Sequence, residues 1–102
     1  MLFQVRPVLS TSFSSLALPT SLLQTLEHLG FEQMTPVQAE ALPLILTGND
    51  LIAQSRTGSG KTAAFGIGLL VPLNPAFLGC QALVMSPTRE LAAQTATALR
   101  TL

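Results

Sequence analysis

The chain has 102 residues, of which 48% are hydrophobic and 10% charged, with five basic against five acidic side chains and no net charge. That balance excludes nucleic-acid recognition by a basic surface alone, and the length admits one small domain or part of a larger one. A mean hydropathy of +0.51 does not come from a membrane span, because no uninterrupted apolar run of about eighteen residues occurs; it fits a chain whose surfaces are covered by further polypeptide, and the 102 residues alone are expected to be poorly soluble or partly folded.

Residues 1–12 carry one arginine, and the first acid is Glu27. Arg6 and Pro7 interrupt the apolar part, which argues against a signal peptide. A short, mostly disordered extension is expected there, ahead of a fold that begins near Phe13. Residues 19–29 read as a first helix, with Leu22, Leu26 and Leu29 on one face and Gly30 as its stop. His28 lies near its end as a surface residue, with no second histidine or cysteine pair to share a metal. The stretch GFEQMTPVQ leads into a second helix, with Thr35 as N-cap and Pro36 in the first helical position, ending before Thr47 and Gly48. Residues 50–54 form a short apolar run flanked by turn signals, and are expected to be a buried strand. Lys61 opens a third helix running to about Leu70. Pro72, Pro75 and Gly79 mark a surface loop. Residues 80–86 are expected to be a second buried strand, holding Cys80 as an inert thiol; a single cysteine excludes an internal disulfide. A last helix follows PTREL, with Leu91, Thr95, Ala98 and Leu102 on one face. Strand, loop, helix, strand, helix in that order predicts an α/β fold: a parallel sheet with flanking crossover helices, truncated because two strands cannot stand alone.

Within this frame one stretch carries chemistry. SRTGSGKT, residues 55–62, contains the only lysine of the chain. A glycine-rich turn ahead of a helix lets backbone N–H groups converge on phosphate oxygens. Gly58 and Gly60 permit the tight backbone, Lys61 would neutralise the β- and γ-phosphates, and the Thr62 hydroxyl would join the shell of a Mg²⁺ ion. Ser55 stands where the general pattern has glycine. Hydrolysis also needs a carboxylate for the metal and a group that positions water. After Lys61 the only acid is Glu90, and Asp50, the only aspartate, precedes the loop. The residues thus describe a nucleoside triphosphate cradle without the groups that turn the nucleotide over. TPVQ is open to two readings: a capping box in which Gln38 bonds back to the helix start, favoured on these residues alone, or a functional glutamine.

Taken together, Phe13, Gly30-Phe31, Thr35-Pro36, Gln38, residues 55–62 and residues 87–91 resemble the N-terminal part of a DEAD-box ATP-dependent RNA helicase. The resemblance runs from Phe13 onward, and AAFGIGLL and QALVMSPTRELA are most similar to the bacterial DbpA type. It implies a partial RecA-like domain over residues 13–102, preceded by an extension over residues 1–12. GFEQMTPVQ resembles the Q motif, in which Gln38 would read the adenine edge, Phe31 would stack on the base and Phe13 would brace the motif. Motif I implies ATP and Mg²⁺ bound by Ser55, Arg56, Thr57, Gly58, Ser59, Gly60, Lys61 and Thr62, with Lys61 and Thr62 acting on the reacting phosphates and Arg56 given no contact of its own. PTREL resembles motif Ia, in which Pro87, Thr88 and Arg89 touch the RNA backbone. Kinship further implies an RNA partner, with ribosomal RNA one candidate, no membrane, and a cytoplasmic location. The rival readings are a non-catalytic nucleotide-binding stub and a fragment of another P-loop NTPase.

Overall fold

The computed structural model describes residues 12–102; the extension expected over residues 1–12 therefore falls outside the described residues except for Ser12. A 3-10 turn at Phe13–Ser15 precedes four helices: α1 (Thr20–His28), α2 (Pro36–Leu46), α3 (Lys61–Leu70) and α4 (Arg89–Thr101).

Each helix begins and ends on local chemistry. In α1, Leu22 and Leu26 are buried one turn apart, and the helix closes in a Schellman motif. Gly30 takes φ +83°, its N–H donates to Glu27 O at 3.1 Å, and Phe31 N–H donates to Leu26 O at 2.9 Å. Helix α2 starts in a capping box made by Thr35 and Gln38, with Pro36 in the first turn. It ends like α1: Gly48 at φ +85° donates to Ile45 O at 3.0 Å and Asn49 N–H to Leu44 O at 3.1 Å. Helix α3 is capped by the backbone of Gly60, at φ +91°. Helix α4 is capped by Thr88, with Glu90 in its first turn and Arg100 in its last, charges that complement the helix dipole.

The core forms where α1, α2 and α3 meet, around Leu26, Leu42 and Ile67, all at most 1% exposed, with Phe13, Met34 and Ala64 beside them. Glycines set how close α3 comes to its neighbours. A Cβ at Gly68 would lie 2.2 Å from Ile45 Cγ2 of α2, and one at Gly66 would lie 2.7 Å from Leu99 Cδ2 of α4.

The structure corrects the expected α/β class. Among the described residues there is no strand and no sheet, and the fold is all-helical; the only β pairing is an isolated antiparallel bridge between Ser12 and Gln33. Residues 50–54 and 80–86 are irregular. A strand exists only through a partner's hydrogen bonds, and these two runs do not pair with each other. Nor are they buried: Ile52 is 99% exposed, Leu83 79% and Met85 86%. Cys80, expected in a covered strand, is exposed for the same reason. The apolar pattern of both runs is real, but within these residues nothing covers it.

Candidate nucleotide site

Of the residues singled out in the sequence, Gln38 meets the loop of residues 55–60 at the N-terminal end of α3. Gln38, on the first turn of α2, is fully buried. Its Oε1 accepts from Thr35 N–H at 2.9 Å and Thr35 Oγ1 accepts from Gln38 N–H at 3.4 Å, which closes the capping box. Its Nε2 donates to Gly60 O at 3.1 Å. The glutamine thus ties the start of α2 to the residue that caps α3. Gly60 is required there twice over. Its φ of +91° strains any side-chain residue, and a Cβ would stand 2.5 Å from Gln38 Nε2 and 3.1 Å from Thr35 Oγ1.

The loop itself is drawn together by its own polar groups. Gly58 also takes a positive φ, +83°. Ser59 N–H donates to Arg56 O at 3.3 Å, the hydroxyls of Ser55 and Ser59 lie 2.5 Å apart, and Lys61 Nζ donates to Ser55 O. Arg56 and Thr57 are exposed, whereas Ser55, Ser59, Lys61 and Thr62 are half-buried. Aligned peptides at the start of α3 direct positive potential into this loop. With two positive-φ glycines and an adjacent lysine, the residues present fit a phosphate group.

Phe31 is half-buried and meets Phe13, 3% exposed, edge to face at 6.3 Å between ring centroids and 84° between planes. A groove of about 810 Å³ runs past the loop, lined by Lys61 and Thr62 from α3, Asp50 and Leu51 from the preceding segment, and Ser86 and Pro87 ahead of α4. It brings the start of α3 next to the start of PTREL. Gln38 and Phe31 do not line it. Thr88 serves as N-cap of α4, its Oγ1 accepting from Leu91 N–H at 3.2 Å, and Arg89 is exposed.

Two features escaped the sequence reading. One is the Ser55–Ser59 contact, whose only signal was a pair of serines four residues apart. The other is Asn49, which bonds Leu44 O at 3.3 Å and Thr47 Oγ1 at 2.8 Å and also lines the groove.

The profile of the DEAD/DEAH box helicase family matches residues 35–102. The chain belongs to that family. Among relatives, the ATP-dependent RNA helicase DbpA of Escherichia coli K12 is 56% identical over 93 residues, covering 90% of this chain and 20% of its own length. The ATP-dependent RNA helicase DeaD of the same strain is 47% identical over 89 residues, covering 87% of this chain and 14% of its own. Among solved structures, a DEAD box protein from the hyperthermophile Methanococcus jannaschii matches with TM-score 0.86 and 40% identity, covering 90% of this chain and 25% of that one. The chain therefore spans a quarter or less of each of these three proteins. No helix of the described residues is long and apolar enough to cross a membrane.

Proposed function

We propose that residues 13–102 are the N-terminal portion of the ATP-binding domain of a DEAD-box RNA helicase acting in the cytoplasm, with residues 1–12 as an extension ahead of it. In this reading the chain binds ATP with Mg²⁺. Lys61 holds the β- and γ-phosphates, Thr62 meets the metal, Ser55 to Gly60 supply the rest of the cradle, and Phe31 and Gln38 serve the base. Pro87, Thr88 and Arg89 contact the RNA backbone, ribosomal RNA being one candidate. The magnesium-bound triphosphate supplies the reactive phosphoanhydride; the chain's own residues bind and orient it. With Glu90 as the only acid after Lys61, these 102 residues bind without turning the nucleotide over, and hydrolysis coupled to duplex separation is an activity of the whole helicase.

The observation that carries the reading is the bond from Gln38 Nε2 to Gly60 O. It joins the two segments that the family uses for base and phosphate, residues 22 positions apart, through a buried side chain. Titration of the chain with MgATP and MgGTP tests it. MgATP binds in preference to MgGTP, and Lys61→Ala weakens MgATP by at least about tenfold, since one charge-assisted contact contributes about 1.5–3 kcal/mol. Equal binding of both nucleotides, or no loss in the Lys61 variant, overturns the assignment.

A further inference from the structure

We propose that Ser55 is a positioning residue of the phosphate loop: its hydroxyl, clasped to that of Ser59, restrains the loop in a form that withholds Lys61 from a triphosphate. The inference rests on the nucleotide-binding reading above and goes beyond it, because it assigns to Ser55 a control over affinity in addition to its place in the cradle.

A triphosphate in this loop needs inward-facing backbone N–H groups and the lysine ammonium. Two of those donors are engaged within the loop. Ser59 N–H is directed at Arg56 O, at 3.3 Å, and Lys61 Nζ is directed at Ser55 O. A phosphate oxygen has to take the place of each carbonyl. The short contact between Ser55 Oγ and Ser59 Oγ, 2.5 Å, fastens together the two residues that supply the Lys61 acceptor and the engaged N–H. Both hydroxyls are half-buried, so water competes with the contact only in part. Ser55 therefore acts on both donors at once, by its side chain through Ser59 and by its backbone on Lys61. Alanine at position 55 keeps the backbone carbonyl and removes only the clasp, which shifts the loop towards the form that accepts phosphate. An equilibrium of this kind lowers apparent affinity by the fraction of molecules in the competent form.

The experiment uses the 102-residue chain and three variants, Ser55→Ala, Ser55→Thr and Lys61→Ala, each checked for unchanged helical circular dichroism. Backbone hydrogen exchange of residues 56–60 is measured first, then MgATP affinity by calorimetry. Loss of one neutral hydrogen bond predicts that Ser55→Ala exchanges these amides about threefold to tenfold faster and binds MgATP tighter by a similar factor. Ser55→Thr, which keeps the hydroxyl, restores both values. Exchange unchanged in Ser55→Ala overturns the proposal, and so does weaker MgATP binding. If the unaltered chain binds MgATP no better than Lys61→Ala does, the nucleotide reading fails. The exchange measurement alone then decides whether the clasp holds the loop.

Discussion

Replacing Gly60 by alanine separates two costs that a positive-φ glycine usually conflates. Any residue with a Cβ at φ +91° bears the left-handed penalty, about 1–2 kcal/mol. At Gly60 the new methyl also stands 2.5 Å from Gln38 Nε2. The fully buried amide must move, and its bond to Gly60 O at 3.1 Å is lost; leaving a buried polar group unpaired costs about 1–3 kcal/mol. The total is about 2–5 kcal/mol. Gly30 is the control, with nearly the same φ, +83°, and nothing within 4 Å of a Cβ, so Gly30→Ala costs only the conformational part. The assay is urea unfolding at micromolar concentration followed by helical circular dichroism. Gly60→Ala should exceed Gly30→Ala by about 1–3 kcal/mol, and the excess should disappear in a Gln38→Ala background, because the two residues share one contact. Equal costs for the two glycines, or an excess that survives removal of Gln38, would refute the claim that this side chain locks α2 to the start of α3.

Two further outcomes follow from packing and capping. Gly68→Ala drives a methyl to within 2.2 Å of Ile45 Cγ2 and should destabilise the α2–α3 contact by about 1–3 kcal/mol; the double variant with Ile45→Ala should recover most of that loss in the same urea assay. Thr88→Ala removes the acceptor for Leu91 N–H at 3.2 Å, worth about 1 kcal/mol. Because no residue of α4 is buried, the loss should appear as faster amide exchange in the first turn of α4 rather than as a lower urea midpoint.

The helices were legible in the sequence because their boundaries are local. Thr35, Pro36 and Gln38 predict the start of α2, which the structure shows as a complete capping box. Gly30 and Gly48 predict the stops of α1 and α2, and both take the left-handed turn that only glycine enters freely. Lys61 opens α3 where the loop pattern places it. The two apolar runs misled for the opposite reason. An apolar run between turn signals describes a surface that wants a partner, whereas a strand requires that the partner be present. Residues 50–54 and 80–86 have the composition without the pairing, and Ile52 and Met85 stay open to solvent. The same reasoning misplaced Cys80, since its burial was inferred from neighbours that are themselves uncovered. At the site, residue identities were legible, but the contacts between them were not: no spacing rule connects Gln38 to Gly60 or makes Ser55 the acceptor for Lys61.

Gln38 shows why those contacts matter to the reading of the sequence. TPVQ set a capping glutamine against a functional one as alternatives. A carboxamide has two donor hydrogens and two acceptor lone pairs. The capping box uses one lone pair, through Thr35 N–H, and Gly60 O uses one donor. One donor and one lone pair remain, the complement that the proposed contact with an adenine edge requires, held on a side chain whose rotamer is fixed at both ends. Because Gly60 is also the N-cap of α3, any movement of the amide towards a ligand is felt at the residue before Lys61. Capping the helix and bracing the loop ahead of α3 are therefore one arrangement of a single side chain, and the structural reading of Gln38 is the physical basis on which its proposed function depends.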